Sequence, residues 1–424
     1  MENLLLIVQH TLKKAGWCLI SASIVIVLSG VVISWIEKPE KKIRRQVIRG
    51  LFDSSYGNPL HLRDGERLPR VICTKTGDGI YKLTIEAVSV TVEQLQEISS
   101  SISSSLCSRS LNQYAVTQTE SDRAFNGVSF RVEDVSIDRT LTFRSVNEMK
   151  PESATRLRVQ DGTSINLTTS GSILCAGKTR SGKTTGIISL LLQVALQGPD
   201  SFGSEVIIID PKQAELSRLP HVVSLDDDGK ATAILAAMRQ MADTVKHRQA
   251  ILNNLSIQTG DAVKWWEAGM NVSTIFIDEY VALRSIFPSK ADKEHPDYCL
   301  ATFDSYLKRI ITMGASAGCY AIISIAEASV GEGGLPAMLR SAMSTRILFR
   351  PTRSEALLIW DKEKIENCIQ RTYGPGDAWF SSTDGVHDEV SFVHFPRMEF
   401  PVYKELGRLL QEYYDDPRRT RDED

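Results

Sequence analysis

The sequence has few of the features that mark disulfide-bonded, metal-binding or strongly basic proteins. The cysteines are at positions 18, 73, 107, 175, 299, 319 and 368 in a chain of 424 residues, and no two form a CxxC pair. Several lie in apolar segments, so we interpret them as reduced core residues in a cytosolic compartment. The formal net charge is −3, which argues against a basic coat over the whole surface. It does not exclude nucleic acid bound in a narrow channel.

Internal repeats are lacking, and low-complexity sequence is limited to one serine-rich run near residue 100. The composition that remains, with 42% hydrophobic and 24% charged residues, is that of a globular protein. The length leaves room for two or three domains.

The N-terminal region contains an apolar segment long enough to cross a membrane. Residues 15–36 carry no charge over 22 positions, which as a helix would span roughly 33 Å. Lys13 and Lys14 precede the segment, and six basic residues follow it within residues 38–49. This bias predicts a single-pass protein of the cell membrane with its C-terminal part in the cytoplasm. A cleaved signal peptide and a buried helix are the alternatives.

The rest of the chain divides into four predicted regions. Residues 37–65 form a basic connector, 66–150 a small α+β domain, 151–400 an α/β domain and 401–424 a charged tail. Strands are predicted at residues 173–176, 206–210, 274–278, 320–325 and 346–350, with helical segments between them. This alternation predicts a mostly parallel sheet covered on both faces. Ligands of such sheets bind at the carboxyl ends of the strands.

A phosphate-binding loop follows the first strand of the α/β domain. The stretch CAGKTRSGKTTG, residues 175–186, matches the pattern GxxxxGK[ST] between an apolar strand and a segment of helical spacing. The predicted nucleotide-binding residues are Gly177, Lys178, Thr179, Arg180, Ser181, Gly182, Lys183, Thr184 and Thr185. Lys183 is expected to contact the β- and γ-phosphates, and the Thr184 hydroxyl to bind Mg²⁺. The alternative is a glycine-rich turn that leads into an ordinary core helix.

Two carboxylates end the apolar stretch STIFIDEY. Asp278 is expected to hold Mg²⁺ together with Thr184, and Glu279 to orient or deprotonate the attacking water. With Lys183 they form the predicted catalytic set of a Mg²⁺-dependent ATPase.

The stretch IIIDPKQAEL, residues 207–216, resembles the FtsK/SpoIIIE family of DNA-pumping ATPases, which carry Asp-Pro-Lys after the phosphate loop. The resemblance covers about residues 155–400, and the phrase FIDEYVAL with the short anchor is most similar to TcpA-type conjugative coupling proteins of Gram-positive bacteria. It implies a P-loop NTPase motor with a RecA-like sheet, which hydrolyses ATP to translocate DNA of any sequence. It also implies a ring, by resemblance a hexamer.

The chain departs from the family where the sensor strand usually ends in Thr-Gln-Arg-Pro. Ser324 and Glu327 are the candidates to replace the polar sensor of the γ-phosphate there. The resemblance also implies an arginine finger from a neighbouring subunit, for which Arg309 and Arg346 are candidates. Arg350 and Arg353, in the stretch RPTR, are candidates for contact with the DNA backbone. An ordinary solvated loop is the alternative for RPTR.

Taken together, these features predict a membrane-anchored coupling protein for conjugation, with a relaxase and channel proteins as partners. A protein-secretion ATPase and a chromosome-partitioning translocase are the alternatives. Secretion ATPases usually carry several phosphate loops, whereas this sequence has one. Partitioning translocases append a winged-helix DNA reader, for which we expect no room after residue 400.

Overall fold

The computed structural model describes residues 38–52, 59–63, 65–106, 113–122, 124–291, 293–326, 336–366, 368 and 372–419. The chain divides into two compact units, one up to Ile137 and one from Asp138, and each is described by itself. None of the helices in the described ranges is long and apolar enough to cross a bilayer. The apolar segment at residues 15–36 lies outside these ranges.

The N-terminal unit is a four-stranded antiparallel sheet with helices packed against it. Its elements are α1 (Pro39–Phe52), β1 (Val71–Gly77), β2 (Ile80–Glu86), α2 (Val92–Glu97), α3 (Ser99–Ser105), β3 (Tyr114–Ser121) and β4 (Gly127–Asp134). The strands lie in the order β1-β2-β4-β3. Helix α2 begins with a capping box, in which the side chains of Thr91 and Gln94 each accept a hydrogen bond from the other residue's backbone N–H.

Helix α1 belongs to the core of this unit, although the sequence had suggested only a basic connector there. Ile43, Val47 and Leu51 are fully buried and pack with apolar residues of the sheet. Their spacing of four residues places them on one face of the helix, while its basic residues occupy the other faces. The many charged residues of the segment led to the prediction of a connector, although three apolar residues recur at helical spacing.

The second unit contains the predicted α/β domain. Its elements are β5 (Thr142–Phe143), β6 (Arg156–Gln160), β7 (Thr163–Asn166), β8 (Ile173–Ala176), α4 (Lys183–Ala195), β9 (Val206–Ile209), β10 (Val222–Val223), α5 (Thr232–Thr259), β11 (Ser273–Ile277), α6 (Tyr280–Ile286), α7 (Leu300–Met313), β12 (Cys319–Ile325), α8 (Ala337–Ala342), β13 (Thr345–Phe349), α9 (Arg353–Ala356), α10 (Lys362–Glu366), β14 (Asp377–Ser382), β15 (Ser391–His394), β16 (Arg397–Met398) and α11 (Val402–Asp415).

One mixed sheet organises this unit, with strand order β10-β9-β11-β12-β8-β13-β14-β15 in the described residues. The strands from β10 to β13 are parallel, and β14 and β15 continue the sheet antiparallel. The five strands predicted from the sequence are all present in the parallel part. Strand β9, with the sequence VIII, is buried along its whole length, as expected of a strand covered on both faces.

Helices cover both faces of this sheet. On one face, Met238 of α5 and Leu307 of α7 belong to one apolar core. On the other, Leu191 of α4 and Leu410 of α11 belong to a second core. The carboxyl ends of the parallel strands are therefore left as the edge at which loops converge.

The ends of this unit differ from the predicted boundaries. Strand β5 pairs with β16, so the residues from Asp138 belong to the α/β unit and not to the smaller domain. Residues 402–415 form helix α11, in which Leu406, Leu410 and Tyr413 are buried, whereas a charged tail was expected. These apolar residues recur every three or four positions and thus share one helical face.

Candidate nucleotide-binding site

The phosphate loop connects β8 to α4 at the carboxyl edge of the sheet. Its two glycines occupy backbone conformations with positive φ, 150° at Gly177 and 89° at Gly182. A Cβ at Gly177 would lie 2.9 Å from the Phe349 Cβ, and one at Gly182 would overlap with the Gly376 nitrogen. Both positions therefore require glycine for the close approach of two backbones as well as for the turn.

The side chains of the loop divide into an exposed tip and a buried base. Lys178, Thr179, Arg180 and Thr185 are exposed, Thr184 is half-buried, and Ser181 and Lys183 are buried. The Ser181 hydroxyl has no hydrogen-bond partner within the described residues. A buried polar group of this kind at the base of a glycine cradle is suited to a phosphate ligand.

Lys183 reaches from the start of α4 to two neighbouring strands. Its Nζ donates to the Ile325 carbonyl oxygen at 3.0 Å and to Glu279 Oε1 at 3.4 Å. Ile325 ends β12 and Glu279 follows β11, and both strands lie on the same side of β8 in the sheet. The order of the strands thus brings the predicted lysine and glutamate together across 96 residues of sequence.

The two adjacent carboxylates occupy different electrostatic environments. Burial raises the pKa of Asp278, and the nearby Lys183 only partly opposes that effect. Burial acts in the same direction on Glu279, but Lys183 and Lys212 outweigh it and hold the pKa of Glu279 below its usual value. Glu279 also has a left-handed backbone, with φ of 47°, which a non-glycine residue adopts at a cost and often at functional sites.

Oxygen ligands for Mg²⁺ are available at this edge of the sheet. The hydroxyl of Thr184 and the carboxylate of Asp278 are hard oxygen donors of the type that Mg²⁺ prefers, and the metal keeps waters and phosphate oxygens as its other ligands. The donor set therefore fits Mg²⁺ bound together with a nucleotide.

Lys212, the last residue of the Asp-Pro-Lys stretch, is a residue of the site that the sequence motifs do not identify. Its Nζ lies 3.0 Å from Glu279 Oε1. The backbone that carries it is organised by Asp210, a buried side chain at the end of β9. The sequence shows only that Lys212 is a charged residue just beyond a strand. That it contacts Glu279 depends on β9 lying next to β11.

A second glycine turn supports the phosphate loop from beneath. Gly376 N donates to the Ser181 carbonyl oxygen at 2.9 Å. Asp377 then holds the turn, because its carboxylate accepts one hydrogen bond from Gly374 N and pairs with the His394 ring. The stretch YGPGDAWF, residues 373–380, thus contributes to the site by shaping the phosphate loop.

Residues 150–330 match the sequence model of the FtsK/SpoIIIE family. The chain contains an FtsK/SpoIIIE family domain. Among curated proteins, the FtsK domain-containing protein YdcQ of Bacillus subtilis is 27% identical over 36% of this chain and 28% of its own length. The DNA translocase FtsK of Helicobacter pylori is 23% identical over 57% of this chain and 29% of its own length. The chain thus spans less than a third of the length of these relatives.

Two solved structures are also similar to this chain. The pCW3 conjugation coupling protein TcpA has a TM-score of 0.49 and 15% identity, over 87% of this chain and 99% of that one. EssC of Geobacillus thermodenitrificans has a TM-score of 0.45 and 16% identity, over 66% of this chain and 53% of that one.

The basic stretch RPTR, residues 350–353, lies beside the phosphate loop of the second unit. Arg350 and Arg353 are exposed, as contact with a DNA backbone would require. Glu355 in the same short helix, α9, lies 3.6 Å from Lys178 Nζ in the loop tip. Phe349, the residue before the stretch, packs against Gly177. The predicted DNA-contact residues are therefore next to the candidate nucleotide site of the same chain.

The two candidate arginine fingers differ in their freedom to reach another subunit. Arg309 is exposed on α7. Arg346 donates to the Ile359 and Met343 carbonyl oxygens at 2.9 and 3.3 Å, and burial lowers its pKa. Arg346 would have to break these hydrogen bonds to reach a nucleotide bound by another subunit. The geometry therefore favours Arg309 as the candidate arginine finger.

Of the two candidate sensors, Ser324 lies on β12 beside β8. Its hydroxyl is buried beside the Asp278 carboxylate, and this neighbour opposes the burial that raises the pKa of Asp278. Glu327 lies outside the described residues.

Proposed function

We propose that this protein is a membrane-anchored, ATP-driven DNA translocase that acts as a coupling protein in conjugative transfer. ATP hydrolysis rests on the FtsK/SpoIIIE family domain and on the site at the carboxyl edge of its sheet. DNA as the substrate is supported by relatives named as DNA translocases. The role in conjugation rests on the sequence stretch FIDEYVAL and the apolar segment at residues 15–36.

The observation that carries the proposal is the convergence of Lys183, Asp278 and Glu279. In the proposed reaction, Lys183 contacts the phosphates, and Glu279 orients a water and accepts its proton as the oxygen attacks the γ-phosphorus. The bond between the γ-phosphorus and the bridging oxygen breaks in the same step, and that oxygen leaves with ADP. Bound Mg²⁺ supplies charge neutralisation on the phosphates. Ser324 is the candidate that bonds the γ-phosphate, and Arg309 of a neighbouring subunit completes the site in a hexameric ring.

DNA is proposed to bind through phosphate contacts, with Arg350 and Arg353 as contributors. Because the chain has a net charge of −3, affinity for DNA must be local and not a property of the whole surface. Phosphate contacts make binding steeply dependent on salt and nearly independent of sequence. Selection of the transferred DNA would then fall to a relaxase, and passage through the envelope to channel proteins.

The test measures ATP hydrolysis by the full-length protein in detergent, with and without DNA of several sequences. We expect DNA to stimulate hydrolysis, with an affinity that falls steeply with salt and hardly changes with sequence. The double variant Arg350→Ala/Arg353→Ala should weaken DNA binding, and Arg156→Ala, at an exposed arginine of β6, is the matched control. Tight binding to one DNA sequence, or hydrolysis that responds to a protein substrate and not to DNA, would contradict the proposal.

Deletion of the gene separates the conjugative role from the alternatives. We expect transfer of the mobile element to stop while cell division and chromosome partitioning continue. Normal transfer with defective partitioning would favour a chromosome translocase, and normal transfer with defective secretion would favour a secretion ATPase.

A further inference from the structure

Two lysines, one at the start of α4 and one in the turn after β9, approach the same oxygen of Glu279. Lys183 Nζ lies 3.4 Å and Lys212 Nζ 3.0 Å from Glu279 Oε1. The Glu279 side chain is 14% exposed, whereas that of Lys212 is 48% exposed, so the pair lies at the rim of the site. A carboxylate this close to two ammonium groups is held in place by charge-assisted hydrogen bonds.

The backbone beneath Lys212 is held by hydrogen bonds. The Asp210 carboxylate is fully buried and accepts hydrogen bonds from the backbone N–H groups of Lys212, Ala214 and Ser217, at 3.1, 3.0 and 3.0 Å. Asp210 N in turn donates to the Val223 carbonyl oxygen at 3.0 Å. Three bonds to one carboxylate fix the turn after β9, so Lys212 starts from a defined position next to β11.

The two lysines cannot have the same function during hydrolysis. The phosphate-loop motif assigns Lys183 to the β- and γ-phosphates, and its three N–H donors would then be shared among the phosphates, the Ile325 carbonyl oxygen and Glu279. Lys212 lies outside the phosphate loop. It is therefore the cation that can keep Glu279 in position while Lys183 serves the nucleotide.

We propose that Lys212 is a positioning residue for ATP hydrolysis, which holds Glu279 Oε1 so that the other carboxylate oxygen orients the attacking water. This inference rests on the proposed ATP hydrolysis. The left-handed backbone of Glu279 makes such support necessary, because that conformation has to be maintained by contacts of the surrounding structure.

The test compares three substitutions at one position in the full-length protein. Lys212→Met keeps most of the length but removes the charge, Lys212→Gln keeps polarity, and Lys212→Arg keeps the charge. We expect kcat of the Met and Gln variants to fall by about tenfold or more, with KM for ATP changed by less than about twofold, because an ill-placed base is lost only at the chemical step. Lys212→Arg should restore most of kcat. Lys246→Met, at an exposed lysine of α5, is the control and should match the wild type.

The outcomes separate this inference from the proposed function. Weaker nucleotide binding with an unchanged kcat in Lys212→Met would make Lys212 a phosphate ligand and overturn the positioning role. Wild-type kcat in Lys212→Met, or no recovery in Lys212→Arg, would also overturn it. A wild-type protein that does not hydrolyse ATP would overturn the proposed function and this inference with it.

Discussion

At the residue scale, the site depends on a difference between two neighbouring carboxylates. Asp278 is desolvated and its pKa is raised, which suits a residue that gains charge stabilisation from a bound cation. Glu279 contacts two lysines and its pKa is lowered, so it stays ionised and able to accept a proton. In the proposed reaction, the same Asp-Glu dipeptide would therefore provide a ligand and a base, because its two side chains face different surroundings.

Glu279→Gln should keep ATP binding and lose turnover. The amide has nearly the same shape but cannot accept a proton, so we expect kcat to fall by roughly 10² to 10⁴. Equilibrium binding of a fluorescent ATP analogue and steady-state hydrolysis measure the two properties separately. Glu294→Gln, at an exposed glutamate, is the control. Hydrolysis at the wild-type rate by Glu279→Gln would contradict the role of Glu279 as the base.

At the element scale, the phosphate loop is built from two turns that touch. Gly182 ends the loop and meets Gly376 of the turn before β14, and their backbones approach too closely for any side chain. The strand–loop–helix unit that the sequence predicts is thus completed by a segment nearly 200 residues away, which no local pattern specifies.

Gly182→Ala should disrupt the phosphate loop. The methyl group would overlap with Gly376 N, and the φ of 89° is unfavourable for alanine, so one of the two backbones has to move. We expect ATP affinity to fall by about tenfold or more, measured by titration with the fluorescent analogue. Gly229 also has a positive φ, 73°, but a Cβ added there would meet open space. Gly229→Ala therefore carries the cost of the backbone conformation without the steric clash. An equal effect of both substitutions would contradict this explanation.

Helix α11 should contribute to stability. Leu410→Ala removes a side chain that is 1% exposed, which we expect to lower the free energy of unfolding by about 2–5 kcal/mol. Chemical denaturation measures the change, and Lys404→Ala on the exposed face of the same helix is the control. No loss of stability in Leu410→Ala would indicate that residues 402–415 behave as the solvated tail that the sequence suggested.

At the scale of the whole molecule, the chain supplies one complete set of phosphate-loop and acidic residues. An arginine at the γ-phosphate is expected from a neighbouring subunit, and Arg309 is exposed on α7 in a position free of the carbonyl bonds that hold Arg346. The proposed ring would thus be needed for chemistry as well as for enclosing DNA.

Full-length protein in detergent should assemble into a ring, by resemblance a hexamer, when a non-hydrolysable nucleotide is bound. Sedimentation velocity measures the assembly. Arg309→Ala should lower hydrolysis while leaving ATP affinity and sedimentation unchanged, because the arginine acts on the charge that develops at the γ-phosphate. Arg239→Ala, at an exposed arginine of α5, is the control. A fully active monomer at every concentration would contradict the ring.

The sequence by itself determined the elements whose signal is local. The spacing of Gly177, Gly182 and Lys183 is set by the loop that wraps a phosphate, and five apolar runs identified the central strands. Tertiary structure decided what depends on the order of those strands: Lys212 meets Glu279 because β9 lies beside β11, and Gly376 meets Gly182 because the turn before β14 folds beneath the loop. It also decided that α1 and α11 are core helices. Their apolar stripes needed a surface to bury against, and composition alone gives no information about that surface.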